Sequence, residues 1–575
     1  MNETKPTKVN TVPTSSGALN EHVCEEGGEV KSIRIRLNGK SLLLILAIVL
    51  ILIGGAALRV HSLAYTPYPY ILDGLGEAQY AEHIADTGSL SPEQGSAYAE
   101  THTVNTPAYD ALIASFSLIQ GEQPLFLLQK LIAPFSVLML IGVYTLARRF
   151  SGSYRVSLLT MMAMSAYGPF LMITQATWKE CIGISLMPLI FLTFMMRKDR
   201  SMRAISILLI LFIPFIHHYI AILTILTIAF ASTASFLIAR KEKKLRVGNV
   251  VDALVSIIAI DEMAMYYSLV KFDRLEYMTP QNGLYLFIGL AALMALGVHY
   301  ITSKGLSEGG RKAMIIVAFG GLVALLAVNL IAPLGTIEFS ALWALSLPML
   351  ACLALVLIGI LGISLWASTA SEHKAIFFAI LASPFIFVVY GLMRGSDVVS
   401  LDMITRTVDL LDLGVMIGLA TFLVYFLRKR SRVQTLAAVS AVCALLLVTM
   451  PVAMDSENYA ATRNDIYSYE MDGINWTASL AQKGEIQTDV LFEYTSYLFN
   501  KLDDPTLVRR IVGDLDFSSD KWMIASEKWI TDGVKDLPYG WIRIDPAVFH
   551  SKIAGCDSLY IGGPTGSQIV VFRLP

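Results

Sequence analysis

Two carboxylates stand four residues apart in the first polar stretch after the first long apolar run. Asp73 and Glu77 belong to Ile71-Leu-Asp-Gly-Leu-Gly-Glu-Ala-Gln-Tyr80. A charged side chain beside a membrane span must reach water or serve a function. A carboxylate placed there can act as a general base that removes the proton of a reacting hydroxyl group. Asp73 is our first candidate for that role, and the alternative is that it caps the following helix.

Three further charged residues extend this candidate site. Glu77 shares a helix face with Asp73 if the helix begins early, although we give more weight to a purely structural role for Glu77. Glu180 follows Lys179 at the start of a later apolar run, and it is either a second acidic site residue or the partner of Lys179 in an ion pair. Lys179 is in addition a candidate for binding a substrate. Convergence of Asp73 and Glu180 would be compatible with a divalent metal ion, but no cofactor is predicted as required.

Four more residues are candidates for binding a substrate. His217 and His218 separate two apolar runs with no room for a loop. Because adjacent helical residues point in different directions, we expect at most one of them to face a cavity, and a structural role is equally compatible. Arg394 and Arg406 flank a polar connection, where a guanidinium group suits a lipid phosphate. Arg406 is preferred, with pairing to a neighbouring aspartate as the alternative.

The composition is that of a polytopic membrane protein. Of 575 residues, 55% are hydrophobic and 16% are charged, and a soluble domain has ~45–50% apolar residues. Residues 1–40 form a polar tail, for which we predict disorder in the cytoplasm. About thirteen apolar runs follow, and we interpret them as spans because a spanning helix needs ~17–25 apolar residues. They lie near 41–58, 125–147, 156–173, 180–196, 203–216, 219–238, 250–269, 282–301, 314–332, 340–365, 375–393, 410–427 and 434–451.

Basic residues occur at alternate connections between these runs, for example at Arg148-Arg149 and at Arg428-Lys-Arg430. The positive-inside rule places those connections in the cytoplasm. We therefore predict a cytoplasmic N-terminus, an extracytoplasmic C-terminus and a transmembrane part from 41 to 451. Its long first outer loop, 61–124, and its other outer connections contain nearly all of the candidate site residues.

Local patterns predict the elements that position these residues. Apolar spacing predicts a short helix from Glu77 to Asp86 that stops near Gly88, with Asp73 just before it, where the helix dipole favours anions. Residues 106–119 have an apolar face and suit a helix in the membrane interface. Asp261-Glu262, inside an apolar run, predicts either a break in that helix near a cavity or a helix that sits higher in the membrane.

Residues 452–575 predict a small external α/β domain. A helix is expected at 474–481, and strands are expected at 490–493, 522–525, 541–544, 559–561 and 569–574. Asn475-Trp-Thr477 in this domain is a glycosylation sequon, which is a weak three-residue signal.

The order of these parts resembles GT-C glycosyltransferases, a superfamily with oligosaccharyltransferase catalytic subunits and protein O-mannosyltransferases. The chain is similar in Asp73 followed by Ala78-Gln-Tyr-Ala81 and Thr87-Gly88, in Asn105-Thr-Pro-Ala-Tyr109 and in Trp178-Lys-Glu180. The closing segment from Leu559 to Arg573 resembles archaeal polytopic proteins of this kind. The resemblance covers most of the chain as an architecture.

The resemblance implies an enzyme that transfers a sugar from a polyprenyl-phosphate donor to a lipid- or protein-linked acceptor outside the cytoplasm. Asp73 would be the base, and positive charge would stabilise the departing phosphate. The external domain contains no Trp-Trp-Asp-Tyr-Gly motif, and the connection 333–339 is short where oligosaccharyltransferases have a long one. These departures disfavour transfer of a whole oligosaccharide to asparagine. The alternatives are a transporter or lipid flippase and a non-catalytic envelope scaffold.

Overall fold

The computed structural model describes most of the chain from residue 39 onward. The described residues are 39–71, 73–92, 102–270, 281–331, 347–369, 371, 374–394, 398–428, 430–454, 466–482, 485–489, 492, 502–504, 507–512, 521–531, 533–536 and 540–573. By its internal contacts the chain divides into Met1–Leu46 and Ala47–Pro575. The first unit holds the beginning of helix α1, and all other described elements belong to the second.

Helices dominate the chain up to residue 454. They are α1 (Gly39–Arg59), α2 (Asp73–Thr87), α3 (Ala108–Gln120), α4 (Pro124–Ser151), α5 (Tyr154–Ala166), α6 (Gly168–Gln175), α7 (Lys179–Met195), α8 (Arg200–Phe212), α9 (His218–Lys241), α10 (Val247–Leu269), α11 (Gln281–Lys304), α12 (Glu308–Ile331), α13 (Leu347–Ala367), α14 (Ala375–Arg394), α15 (Val398–Leu427), α16 (Arg432–Thr449) and α17 (Pro451–Met454). Short 3-10 turns lie at His61–Ala64, His102–Asn105 and Ile213–Phe215.

The protein is an integral membrane protein. Seven helices in the described part of the chain are long and apolar enough to cross a membrane, and an eighth span results if the bent pair α5 and α6 is counted as one. The expected number of about thirteen spans is therefore not confirmed. Charge is one reason, because α10 contains Asp252, Asp261 and Glu262 along its length. Length is another, because α8 has only 13 residues.

The run expected as one span at 156–173 is broken between α5 and α6, which meet at an angle of 65°. Arg59, at the end of α1 and 0% exposed, occupies this break. Its guanidinium group donates to the carbonyls of Met164 (3.0 Å) and Ser165 (3.1 Å) and to the hydroxyl of Thr174 (2.8 Å). The last carbonyls of a helix have no partners within it, so the buried cation satisfies the end of α5 and stabilises the break.

The C-terminal part forms a mixed sheet with short helices. Its elements are α18 (Ser468–Leu480), β1 (Ile486–Gln487), β2 (Leu502–Asp504), α19 (Leu507–Val512), β3 (Trp522–Ser526), α20 (Lys528–Thr531), β4 (Val534–Asp536), β5 (Gly540–Ile542), α21 (Pro546–Ile553), β6 (Asp557–Gly562) and β7 (Ile569–Arg573). The main sheet has the order β2-β1-β3-β7-β6. Strand β1 is parallel to β2 and β3, whereas β7 is antiparallel to β3 and β6. A separate antiparallel pair joins β4 and β5.

This sheet confirms the expected small C-terminal sheet. The predicted strands near 522, 541, 559 and 569 correspond to β3, β5, β6 and β7. The strand expected at 490–493 falls mostly outside the described residues, and β1, β2 and β4 were not predicted. The sequon lies in α18, where the hydroxyl of Thr477 is buried and donates to the carbonyl of Gly473 (2.8 Å).

A hydrophobic cluster joins the C-terminal part to the long connection between α1 and α4. Tyr68 and Leu75 of that connection pack with Met471 and Ile474 of α18 and with strand residues of the sheet. The hydroxyl of Thr66 also donates to the carbonyl of Ile466 (2.5 Å). The C-terminal part therefore supports α2 directly, through Leu75, which is 1% exposed.

Two sequence predictions need correction. Helix α2 begins at Asp73, so Asp73 lies in its first turn and not before it. Glycines at 74 and 76 disfavour a helix by about 1 kcal/mol each, but tertiary packing overrides this local preference. Helix α10 runs without a break through Asp261 and Glu262, so these carboxylates do not mark an interrupted span. Asp261 is exposed and Glu262 is partly buried.

Candidate functional site

The start of α2 is fixed against the segment between α6 and α7. Thr177 donates from its backbone N–H (3.1 Å) and from its hydroxyl (3.0 Å) to the carbonyl of Tyr70. A Cβ atom added to Gly74 would lie 2.1 Å from Oγ1 of Thr177 and 2.7 Å from Pro69. Only a glycine permits this close approach. Between these contacts Ile71 has φ of 94°, which is rare for a β-branched residue and turns the chain into α2.

A buried cluster of three charged side chains joins α2, α3 and α7. The ammonium nitrogen of Lys179, the first residue of α7, lies 3.2 Å from Oε2 of Glu77 in α2 and 2.6 Å from Oδ2 of Asp110 in α3. It also donates to the carbonyl of Thr106 (2.8 Å). Glu77 is 5% exposed, Asp110 is 0% exposed and Lys179 is 4% exposed. Such burial of charges is stable only when they are paired and hydrogen-bonded.

Two tyrosines, Tyr80 and Tyr109, lie beside the cluster. Tyr109 is buried and donates its hydroxyl to the carbonyl of Thr177 (3.2 Å). The ring of Tyr80 lies with its centroid 6.0 Å from the ammonium nitrogen of Lys179, and its hydroxyl donates to the carbonyl of Leu90 (2.6 Å). Aromatic rings at this distance add a cation–π attraction for Lys179.

Burial raises the pKa of Glu77 well above its usual range. The negative charge of Asp110 adds to this, the ammonium group of Lys179 opposes it, and a hydrogen bond with Asp110 and the charge of Asp73 raise the pKa further. Taken together, these effects favour the uncharged form of Glu77.

The dipole of α7 interacts unfavourably with the ammonium group of Lys179. A cation at the first residue of a helix faces the positive end of the dipole, so α7 by itself disfavours Lys179 at this place. The two carboxyl groups offset that cost. Asp110 lies in the first turn of α3, where the dipole favours negative charge. The three side chains thus depend on one another.

Asp73 and Glu180 differ in exposure. Asp73 is exposed in the first turn of α2, one helical turn before Glu77, and its charge acts on Glu77 as described above. Glu180 is 1% exposed in the first turn of α7, where the helix dipole favours a carboxylate. Glu180 was expected to be either a second acidic site residue or the ion-pair partner of Lys179, and the ion pairs described above join Lys179 to Glu77 and Asp110. The roles predicted for Asp73 and Glu180 stay predictions.

His217 has a local structural role. Its backbone is extended (φ −158°, ψ 124°), and its Nδ1 accepts the backbone N–H of Ile220 (3.4 Å), so His217 is the N-cap of α9. Its ring stacks on that of His218 with the centroids 4.7 Å apart. The two rings lie side by side because His217 lies outside the helix, so the helical rotation assumed for the pair does not apply. That at most one of them faces a cavity stays a prediction.

A series of contacts leads from the charged cluster toward the histidines. Thr106, which accepts from Lys179, follows Asn105, whose carbonyl accepts from the hydroxyl of Tyr266 (3.0 Å). The ring of Tyr266 packs on that of Phe215 with the centroids 4.5 Å apart, and Phe215 is two residues before His217. The side chains of Arg394 and Arg406 lie outside the described part of the structure, and their predicted roles stay predictions.

Asp110 was missed by the sequence predictions. It directly follows Asn105-Thr-Pro-Ala-Tyr109, which was recognised. A signal was present, because Asp110, Ile113, Ala114 and Ser117 have helical spacing and share the buried face of α3. A carboxylate on the apolar face of an amphipathic helix requires a buried partner. The identity of that partner, in α7, follows only from the tertiary structure.

No protein-family model matches the sequence, and a search of the curated proteins finds no match. Solved structures do match. The oligosaccharyltransferase of Archaeoglobus fulgidus, solved in complex with Zn and sulfate, is similar with a TM-score of 0.51 and 12% identity over 92% of this chain and 74% of that chain. The same protein, AglB, solved with an inhibitory peptide and a dolichol-phosphate, gives a TM-score of 0.51 at 11% identity with the same coverage.

The mycobacterial arabinofuranosyltransferase AftD also matches, covering 93% of this chain and 42% of that chain at 13% identity. The TM-score of this match is 0.40. The match to the Archaeoglobus enzyme, which is a GT-C glycosyltransferase, extends over nearly the whole chain. The chain therefore has the fold of this GT-C enzyme, and the fold that the resemblance implied is confirmed.

Proposed function

We propose that the protein is a membrane glycosyltransferase that transfers a sugar from a polyprenyl-phosphate donor to a lipid- or protein-linked glycan acceptor at the outer face of the membrane. The observation that carries the proposal is the buried cluster of Glu77, Asp110 and Lys179 in a chain with the GT-C fold. Because the cluster joins α2, α3 and α7, it holds Asp73 in a defined place. The dolichol-phosphate bound to the Archaeoglobus enzyme supports a lipid-linked donor.

In this proposal Asp73 is the general base. The acceptor hydroxyl oxygen attacks the anomeric carbon of the donor sugar while Asp73 takes the hydroxyl proton. The bond from that carbon to the phosphate oxygen breaks, and polyprenyl phosphate leaves with the electron pair. A single displacement of this kind inverts the anomeric configuration. Exposure suits Asp73 to this role, because a base must reach a substrate that arrives from outside the protein core.

Glu77 and Lys179 position the helix that bears the base, and Glu180 extends the acidic site. Arg394 and Arg406 are proposed to bind the leaving phosphate, and one of the two histidines is proposed to donate a hydrogen bond to phosphate or sugar. These assignments rest on residue type and on position along the chain.

The proposal includes the membrane topology predicted from charge. Residues 1–40 form a cytoplasmic tail, residues 41–451 contain about thirteen spans with an outer loop at 61–124, and residues 452–575 form an extracytoplasmic domain. The packing of Leu75 and Tyr68 with α18 supports this arrangement, since it requires the C-terminal domain and α2 to lie on the same side of the membrane.

The Archaeoglobus enzyme was solved with Zn, so we compared the charged residues of the site with the ligands that a divalent metal ion needs. Protein sites for such ions commonly use three or more ligands. In the described part of the chain, no group of three or more His, Cys, Asp or Glu residues could hold a metal ion. Between Glu77 and Asp110 the ammonium group of Lys179 fills the place that a cation would take. Glu77 and Asp110 therefore do not fit a metal ion.

The test is Asp73→Asn in a strain that lacks its own copy of the gene. Transfer should fall at least about 100-fold, the usual contribution of a general base, while the protein accumulates in membranes as the wild type does. Asp86→Asn is the matched control, because Asp86 is an exposed aspartate on the same helix. The glycan profile and radiolabelled sugar transfer in membranes are the measurements. Unchanged glycans in the Asp73→Asn strain would eliminate the proposed mechanism.

A further inference from the structure

We propose that the ammonium group of Lys179 is the resident cation between Glu77 and Asp110, so that this carboxylate pair works without a divalent metal ion. This proposal concerns the cluster that positions Asp73. Its prediction for the rate of sugar transfer rests on the proposed function. Its central measurement is metal binding, which does not depend on transfer.

Three oxygen atoms lie close to the ammonium nitrogen of Lys179. An ammonium group has three N–H donors and no acceptor. Three oxygen atoms surround its nitrogen, Oδ2 of Asp110 at 2.6 Å, the carbonyl of Thr106 at 2.8 Å and Oε2 of Glu77 at 3.2 Å. They come from α3, from the residues just before α3, and from α2. Lys179 therefore does what a coordinated ion does, since it joins oxygen ligands from different elements around one positive charge.

Space and charge both oppose a second cation at this place. A divalent ion binds carboxylate oxygens at ~2.0–2.6 Å, and an ion at that distance from both carboxyl groups would lie against the nitrogen of Lys179. The positive end of the α7 dipole adds repulsion, because Lys179 is the first residue of the helix. The ammonium group is also covalently attached, so a chelator cannot remove it.

The test uses the full-length protein in detergent micelles and Mn²⁺ as the probe, with electron paramagnetic resonance to count bound ions. Wild type and Glu77→Gln should bind the same number of Mn²⁺ ions, and excess chelator should leave the melting temperature of the wild type unchanged. In the proposed transfer reaction the wild type should keep more than about half of its rate in chelator. Absence of any transfer would contradict the proposed function but would leave the Mn²⁺ comparison intact.

Replacement of Lys179 gives the reciprocal test. Lys179→Gln leaves the two carboxyl groups without their cation and should make the melting temperature rise with added Mn²⁺, whereas Lys179→Arg should show no such rise. Adding Glu77→Gln to Lys179→Gln should abolish the response. A Mn²⁺ ion that the wild type binds and that Glu77→Gln loses would overturn the proposal. This comparison decides the matter even if Lys179→Gln fails to fold.

Discussion

At the residue scale, the buried charges depend on one another, because none of Glu77, Asp110 and Lys179 would be stable at its place alone. Removal of one partner of a buried ion pair usually costs ~3–5 kcal/mol, since the other charge is left without compensation. Burial raises the pKa of Glu77, and the negative charge of Asp110 adds to this, so the fold favours the uncharged form of Glu77.

The raised pKa of Glu77 predicts a pH dependence of stability. A carboxyl group whose pKa is higher in the folded state stabilises the fold fully below its ordinary pKa of ~4.3, and this contribution is lost as pH rises through the higher value. As pH rises above ~4.3, the melting temperature of the wild type should therefore fall by more than that of Glu77→Gln, which cannot ionise. Thermal unfolding in detergent measures the difference. Glu122→Gln, at a surface ion pair with Lys130, should keep the wild-type slope. Equal slopes for wild type and Glu77→Gln would refute the raised pKa of Glu77.

At the element scale, α2 is held at three sides, by Thr177 at its start, by the charged cluster in its second turn and by the C-terminal part at Leu75. Its two early glycines provide a matched pair. Gly74 approaches Thr177 closely, whereas a Cβ atom on Gly76 would meet no described atom within 4 Å. The intrinsic helix propensity changes equally when either glycine is replaced by alanine. A difference in stability between the two variants therefore reports the packing of α2.

We predict that Gly74→Ala destabilises the protein and that Gly76→Ala does not. Overpacking at Gly74 should cost about 1–3 kcal/mol, because Oγ1 of Thr177 would lie 2.1 Å from the new Cβ. Gly76→Ala should be neutral or stabilising by up to about 1 kcal/mol, since alanine favours a helix. Melting temperatures of the two variants give the comparison, and Thr177→Ala added to Gly74→Ala should recover part of the loss. Equal effects of the two alanines would contradict the proposed docking of α2.

Sequence patterns predicted these elements better than they predicted the contacts among them. Helical spacing located α3 and most of α2, and alternation located four strands of the C-terminal part. The early start of α2 was missed because two glycines and the positive φ of Ile71 are stabilised only by tertiary contacts. Arg59 was missed for a similar reason. An arginine at the end of an apolar run is expected at the membrane surface, yet this one is buried among the carbonyls at the break between α5 and α6.

The candidate site shows the same limit. Residue type and position indicated Asp73, Glu77, Lys179 and Glu180 separately. The pairing of Lys179 with Glu77 and Asp110 joins residues that are far apart in the sequence, and no local pattern encodes such a pairing. Periodicity shows that a buried charge needs a partner, and only the packing of α2, α3 and α7 shows which partner it has.

At the scale of the whole molecule, the sidedness of α2 and the C-terminal part is open to a direct test. Their shared hydrophobic cluster requires them to lie on one side of the membrane, and the alternation of basic connections predicts that this side is outside. The connection between α7 and α8 should then be cytoplasmic. Three exposed positions sample these regions, Asp86 in α2, Asp472 in α18 and Lys198 between α7 and α8.

Single cysteines at these positions, in a background without the five native cysteines, should react differently with a membrane-impermeant maleimide. Asp86→Cys and Asp472→Cys should be labelled in intact cells, because both face the outer medium in the proposed topology. Lys198→Cys should be labelled only after permeabilisation. The fraction of protein that shifts in a gel after reaction with a large maleimide measures each case. Labelling of Lys198→Cys in intact cells would invert the topology and place Asp73 in the cytoplasm. Labelling of only one of Asp86→Cys and Asp472→Cys would contradict the packing of α2 against the C-terminal part.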